Sequence, residues 1–334
     1  MMPNKMETKY LPFEKEVKYI DLQISELVRY GKKKGIDYSG DIRELNVKRV
    51  GILKDTYSSL SAWDTVQVVR HPDRPILGDY LELMVNDFRE IHGDRCFGDD
   101  RALIGGMGRI GREKVMIIGH NKGRAKDLEK MAGDDINEKM RCIAGCPNPE
   151  GFRKANRLMR FAEKYGLPIV TLIDTPGAYP GGGAEERGQA SAISQNLIYM
   201  PRVKVPIISV VVGEGGSGGA LGIGVANYFA ALEHSYYSVI SPEGCAGILW
   251  RDGSKKAEAA EALKLTASGG YDLGAIDYVI KEPLGGAHRN PHEAIFEVEK
   301  FIVCGIRDLK KMGSGELVKH RNKMIKIRSS GERG

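Results

Sequence analysis

Cysteine is scarce in this chain, with five in 334 residues: Cys96, Cys142, Cys146, Cys245 and Cys304. An odd, scattered set builds no disulfide scaffold and suits a reducing compartment, so a cytoplasmic protein is expected. Cys142 and Cys146 lie closest together, but no second pair follows at ligand spacing, and no metal site is expected. Long apolar runs are missing as well. The longest uncharged stretch, Gly215 to Leu232, holds six glycines and is too weakly apolar to span a membrane. The opening MMPNKMETKYLPFEKE has no apolar core, so no signal peptide is expected. Neither sign of charge dominates: the net charge is +6, with 28% charged and 42% hydrophobic residues, a globular balance. The basic residues do gather at the end, at Arg307, Lys310, Lys311, Lys319, Arg321, Lys323, Lys326, Arg328 and Arg333. Such a tail can meet nucleic acid or an acidic partner. It lacks interleaved aromatics, so a solvated helix with a frayed end is the expectation.

Three zones are predicted. Residues 1–70 form a helical segment. Phe13, Val17, Ile20, Ile24 and Leu27 recur at helical spacing, and Ile42, Leu45, Val50 and Leu53 suggest a returning helix after a break between Gly35 and Gly40. With no deep core of their own, these helices should pack on another surface or subunit. Residues 71–295 alternate strands with helices. Leu103–Ile110 and Val115–Gly119 read as neighbouring strands turning at Gly111. Phe152, Ala155, Leu158, Met159 and Ala162 share one helical face, which Gly166 ends before Pro168. Further strands are expected at Ile169–Asp174, Val205–Val212, Tyr228–Leu232, Ser238–Ile240 and Tyr278–Ile280. Further helices are expected over Ala184–Ile198, from Ala220, and over Ala257–Ala267. Strand–loop–helix units in series imply an α/β fold with a largely parallel sheet and binding loops at the strands' carboxyl ends. Residues 296–334 form a helical, basic tail.

One segment stands out, Val205 to Ala226, VPIISVVVGEGGSGGALGIGVA. A buried strand runs into Gly215, Gly216, Gly218 and Gly219, and a small-residue helix follows. The first N–H groups of a helix lack intrahelical partners and sit at the positive end of its dipole. Without a Cβ in the way, an anionic oxygen can approach them closely. Three uses compete: a phosphate site, an oxyanion hole, or close helix–strand packing alone. A P-loop requires Gly-Lys-Ser/Thr, and no lysine lies between Lys204 and Lys255. Gly213-Glu-Gly215-Gly-Ser-Gly218 fits G-x-G-x-x-G, but Glu214 sits badly beside a pyrophosphate. Ser217 lies near a G-x-S-x-G elbow, yet no triad partner is set up by the sequence.

A second strand-to-helix loop, Ile173 to Gln189, contains Gly181, Gly182, Gly183, Ala184 and Arg187. Two such loops after two buried strands can face one crevice. Glu185 and Glu186 read as complements to the helix dipole. Arg187 opposes that dipole, and its competing roles are a structural ion pair and a binding residue. His120, in Gly-His-Asn-Lys-Gly-Arg, is the best-placed candidate base, with a structural histidine as the alternative. Lys122 and Arg124 either meet an anion or are merely solvated. His288 reads as a loop-fixing residue.

These motifs form one ordered series. It runs through Trp63, His71-Pro-Asp-Arg-Pro, GHNKGR, EKYGLPIVTLIDTPGAYPG, GAEERGQ, VVGEGGSGGALGIGV, YSVISPEGCAGILWRD, AAEALKLTA and EPLGGAHRNP. The series, from about residue 10 to 320, resembles the carboxyltransferase alpha subunit of bacterial and plastid multisubunit acetyl-CoA carboxylase. The resemblance implies a crotonase-type fold of repeated ββα units. It implies transfer of a carboxyl group from carboxybiotin to acetyl-CoA, forming malonyl-CoA, the first committed step of fatty acid synthesis. The biotin is carried by a biotin carboxyl carrier protein, not by this chain. The resemblance further implies an α2β2 assembly with a beta subunit, biotin carboxylase in the full complex, and no metal in the alpha chain.

In the family, the pair matching Gly218 and Gly219 donates backbone hydrogen bonds to an oxyanion of the reacting biotin. Gly215, Gly216, Gly181, Gly182, Gly183, Ala184, Arg187, His120, Lys122 and Arg124 are the accompanying candidates for substrate binding. The missing nucleophile then makes sense, because the carboxyl donor is already activated and the protein has only to hold charge and exclude water. Another acyl-CoA such as propionyl-CoA, or a non-catalytic scaffold with a nucleic-acid-binding tail, are the alternatives. The chain departs from the family in a longer connection over 125–146, in Gly182 where a β-branched residue is common, and in a looser ASGGYDLGAID link.

Overall fold

The computed structural model describes residues 10–124 and 135–331. α1 (Lys15–Lys34) buries Val17 and Ile20 and ends at Gly35, whose φ of 68° favours a residue without a Cβ. α2 (Ser39–Ser58) returns alongside it. Leu53 and Tyr57 of α2 pack with Val17 and with Val68 of α3 (Ala62–Val69). The hairpin is also tied by charge. The Glu14 carboxylate accepts the Tyr57 hydroxyl at 2.9 Å and the Arg289 guanidinium at 2.6 Å. The two helices therefore rest on the chain's own surface, one of the two options their amphipathic pattern allows.

α4 (Leu77–Met84) leads directly into β1 (Val85–Glu90). β2 (Leu103–Ile110) and β3 (Glu113–His120) form an antiparallel pair turning at Gly111, φ 57°. β4 (Ile169–Thr175), β5 (Ile207–Gly216), β6 (Tyr228–Leu232) and β8 (Tyr278–Ile280) continue from β3 in parallel. β7 (Tyr236–Ser238) pairs with the last residues of β5. The order is β1-β2-β3-β4-β5-β6-β8.

Alternation along the strands divides the core into two layers. Ile169, Ile173, Ile207 and Val211 face α6 (Pro149–Lys164), α8 (Gln189–Tyr199) and α9 (Ser217–Gly224). Val170, Leu172, Ile208 and Val210 face α4 and α13 (Pro291–Leu309). The remaining helices are α5 (Ile136–Ala144), α7 (Gly182–Glu186), α10 (Pro242–Leu249), α11 (Lys256–Ala262), α12 (Ala267–Asp272) and α14 (Ser314–Ser330).

Several expectations are corrected. β5 extends past Val212 through Gly213–Gly216, because Glu214–Gly216 pair with β7. The following helix accordingly starts at Ser217 and not at Ala220. The helix expected over Ala184–Ile198 breaks into α7 and α8 at Gly188, φ 82°. β7 lies two residues before the predicted Ser238–Ile240, and the helix expected over Ala257–Ala267 stops at Ala262. The long connection 125–146 falls partly outside the described residues; its last part forms α5.

The basic tail is a solvated helix only in part: Lys319, Lys323 and Lys326 are exposed, but two arginines turn inward. The Arg321 side chain is buried and donates to the carbonyls of Met200, Val203 and Val205 and to Asn227 Oδ1. Arg328 pairs with Asp277 and donates to the Ala226 and Asn227 carbonyls. Arg333 lies outside the described residues.

Candidate active site

The site forms where β4 and β5 end side by side, with Thr175 paired to Gly215. After β4 the chain turns tightly: the Thr175 hydroxyl donates to the Gly177 carbonyl at 2.8 Å, and the Gly177 N–H donates back to Oγ1 at 3.1 Å. After β5 it turns at Ser217, whose φ of 49° is a left-handed conformation that side-chain-bearing residues seldom adopt. The two turns touch. A Cβ on Gly216 would come within 2.0 Å of the Pro176 carbonyl oxygen, and one on Gly219 within 2.6 Å of the Gly177 carbonyl carbon. Glycine is therefore demanded at 216 and 219 by the neighbouring loop. Gly218 differs: it is half-buried, and its nearest neighbour in the Cβ direction is Ile193 Cδ1 at 3.5 Å.

No side chain caps α9. Among the described residues, no hydrogen bond from outside the helix engages the N–H groups of Ser217, Gly218 or Gly219. Uncapped donors at a helix start, beside a turn that keeps side chains out, suit an anionic oxygen. The Ser217 hydroxyl is exposed and meets no histidine or carboxylate among the described residues, so no nucleophile elbow is assembled.

The second loop lies next to the first. Gly181 precedes α7, Ala184 is buried, and Gly182 has open space in the Cβ direction. Gly183 lies near Arg187 Nη1. Gln189 Nε2 fixes the loop by donating to the carbonyls of Pro147 and Tyr179, each at 2.8 Å. Arg187 pairs with Glu150 at 2.5 Å and covers the Phe97 ring, the structural ion pair foreseen as one of its two roles.

Beneath the glycines runs a chain of charges, buried at Asp174 and Glu214 and reaching the surface at Arg70 and Glu243, that sequence reading missed. Lys122 Nζ bridges Asp174 Oδ1 at 2.9 Å and Glu214 Oε2 at 2.5 Å. Glu214 Oε1 accepts Arg70 Nε at 2.9 Å and the Tyr236 hydroxyl at 2.7 Å. Arg70 reaches on to Glu243 at 2.6 Å. Asp174 Oδ1 also receives the Glu214 N–H at 2.9 Å. Burial disfavours the Glu214 carboxylate, but Lys122 and Arg70 outweigh it and hold its pKa at about 2. Lys122 stays charged in turn: burial opposes this, and Asp174 and Glu214 prevail. Lys122 is thus committed to the interior, and Arg124 pairs with Asp79 at 2.6 Å.

His120 is fully buried, and burial pushes its pKa down to about 3, leaving it neutral. Its Nδ1 accepts the Asp174 N–H at 3.4 Å, which leaves the proton on Nε2. Among the described residues, no atom meets Nε2 at hydrogen-bonding geometry. A neutral, sealed imidazole is a support under the glycine turn and not a solvent-facing base. His288 is buried against His71, the rings stacked 4.0 Å apart, as a loop-fixing residue would be. Cys142 and Cys146 join no metal-holding group among the described residues. Among the described residues, the one cluster with suitable spacing, Glu90, His92 and Asp99, is exposed and includes none of the candidate site residues.

Residues 10–329 match the family described as acetyl co-enzyme A carboxylase carboxyltransferase-like. The chain belongs to this family. Curated relatives are acetyl-coenzyme A carboxylase carboxyl transferase alpha subunits. That of Rhodopirellula baltica is 49% identical over 90% of this chain and 91% of its own length. That of Halorhodospira halophila is 50% identical over 87% and 88%, and that of Chromohalobacter salexigens 46% over 95% and 96%. Among solved structures, transcarboxylase 12S matches with a TM-score of 0.55 at 18% identity, over 71% of this chain and 42% of that one. The beta subunit of P. aeruginosa geranyl-CoA carboxylase matches with 0.53 at 16%, over 75% and 46%. The chain spans under half the length of those solved chains, and at such identity they establish the fold alone. Membership in the family makes the protein a transferase subunit.

Proposed function

We propose that this chain forms the biotin-side half of an acetyl-CoA carboxyltransferase site. A beta subunit completes the site, and a biotin carboxyl carrier protein delivers carboxybiotin to it. The observation that carries the reading is the uncapped first turn of α9 beside the Thr175–Ala178 loop. A ureido oxygen fits there: the donors are unengaged, Ser217 is exposed, and the one atom near Gly218 in the Cβ direction, Ile193 Cδ1, stands at an ordinary 3.5 Å. Bound carboxybiotin supplies an activated carboxyl group and, once that group leaves, negative charge on its ureido oxygen.

The chain's own part is electrostatic. The N–H groups of Gly218 and Gly219 would donate to that oxygen without changing protonation state. One such donor contributes about 3–4 kcal/mol to the transition state. The charged chain from Asp174 to Arg70 keeps the strand ends in register beneath it. The Gly181–Ala184 loop forms a wall that restricts water. Acetyl-CoA is bound largely by the partner, which supplies its own donors to the thioester enolate.

The test is reconstitution. With its beta partner the chain should carboxylate free biotin from malonyl-CoA in the reverse direction, and the partner alone should not. Gly218→Pro deletes one N–H and should lower kcat by about a hundredfold while leaving biotin KM within a few-fold. Equal activity from the partner alone, or an unchanged kcat, overturns the reading. Competition between acetyl-CoA and propionyl-CoA in the same assay fixes the acyl substrate. The scaffold reading loses its main support, because Arg321 and Arg328 of the basic tail are spent on internal carbonyls and on Asp277.

A further inference from the structure

A cavity lies at the end of the sheet opposite the glycine turn. It measures about 520 Å³ and is lined by Arg160, Glu163, Gln195, Ile198, Tyr199, Arg202 and Lys204. Lys204 precedes β5, whereas Gly218 follows it, so the two sites are separated by roughly the strand's length, about 30 Å at 3.3 Å per residue. The cavity is therefore independent of the carboxyl-transfer site.

Its charges are unbalanced. None of Arg160, Arg202 and Lys204 makes an ion pair among the described residues. The single carboxylate, Glu163, is occupied from within: Oε2 accepts the Tyr199 hydroxyl at 2.5 Å and Oε1 accepts the Lys204 N–H at 2.9 Å. Burial, reinforced by that bond to Glu163, raises the Tyr199 pKa, so the phenol stays neutral. Arg160 is held in place from two sides, its guanidinium 4.1 Å over the Tyr199 ring and its Nε on Asn156 Oδ1 at 2.8 Å. A guanidinium fixed in this way presents its remaining donors without further loss of side-chain freedom.

We propose that this cavity binds a polyphosphate anion. Two guanidinium forks and an ammonium around one hollow match several phosphoryl oxygens better than a lone carboxylate. The volume is within the range of small-molecule sites. Free polyphosphate and the phosphate chain of a nucleotide share this chemistry, and the site is remote from the glycine turn, so the occupant is not the substrate of carboxyl transfer.

Titration calorimetry of the full chain with inorganic tripolyphosphate and with ATP, at physiological salt, tests this. Tripolyphosphate should bind at one site per chain and at least tenfold more tightly than sulfate. R202E/K204E should weaken binding at least tenfold, and R202Q/K204Q should weaken it with less perturbation of folding, checked by circular dichroism. K32E/K33E, with the same change of net charge on α1, should leave binding unchanged. Tighter binding of ATP than of tripolyphosphate identifies a nucleotide as the occupant; equal binding identifies the phosphate chain alone. Cations near helix ends are also ordinary complements to the dipole. Equal loss in the α1 variant, or no preference over sulfate, shows that they are only that, and overturns the proposal.

Discussion

Gly218 and Gly219 are adjacent in sequence and opposite in surroundings. A methyl group on Gly219 would meet main-chain atoms of Gly177 and Ala178 at 2.6 and 2.7 Å, which cannot yield without moving the loop. A methyl on Gly218 would meet only Ile193 Cδ1, at an ordinary 3.5 Å. Stability and activity should therefore separate. Gly219→Ala should unfold at lower urea concentration than the parent. Gly218→Ala should match or exceed the parent's stability, since alanine is favoured over glycine in a helix by about 1 kcal/mol. Yet if an oxygen approaches the N–H of 218 closely, the added methyl intrudes on it, and kcat should fall at least tenfold. A fully active Gly218→Ala enzyme would remove the close approach on which the site depends. Ser217 sets the approach: its left-handed φ turns the chain from strand to helix with the hydroxyl exposed and the following amides uncovered.

Five elements or their ends are joined through Glu214, and the connection is electrostatic. The carboxylate joins β5 to Lys122 after β3, to Arg70 after α3 and to Tyr236 of β7, and Arg70 extends it to Glu243 of α10. Glu214 is held at about 2, below the ordinary 4.5. A group that releases its proton more readily folded than unfolded stabilises the fold above pH 4.5, and loses that contribution as pH falls towards 2. The difference is worth on the order of 3 kcal/mol. Glu214→Gln should thus lower stability near pH 7 by about 3 kcal/mol and flatten the decline between pH 5 and 2, measured as urea midpoints across pH. An unaltered slope would mean that the charge chain does not act as drawn.

The same elements show what the sequence discloses. β6 and β8 run over the predicted residues, because short apolar runs bounded by polar turns need no distant partner to be recognised. The end of β5 is hidden, since extended Gly213–Gly216 is imposed by β7 and by Asp174, not by glycine itself. The glycine turn is legible as a site because its signal is local. Lys122, by contrast, meets partners 52 and 92 residues away, and Arg70 one 144 residues away. No window along the chain holds that pattern.

For the molecule as a whole, the proposed sharing of the site with a beta subunit implies an exposed edge where that subunit docks. α10 ends in Ile248 and Leu249, and Trp250 follows as its cap; all three protrude, Ile248 70% exposed, Leu249 67% and Trp250 43%. Val239, between β7 and α10, is 75% exposed. Side chains of this size gathered on one segment are the composition of a buried interface core and cost solubility when left bare. Trp250 is one of only two tryptophans, and the other, Trp63, lies beneath Lys256 with its ring 4.6 Å from the ammonium. Fluorine-labelled tryptophan incorporated into this chain alone therefore gives two assignable resonances. Addition of the beta subunit should shift the Trp250 resonance and leave that of Trp63 in place, and Ile248→Glu should weaken association at least tenfold without lowering the chain's own unfolding midpoint. A Trp250 signal indifferent to the partner, while carboxyl transfer proceeds, would place the second half of the site against some other edge of the sheet.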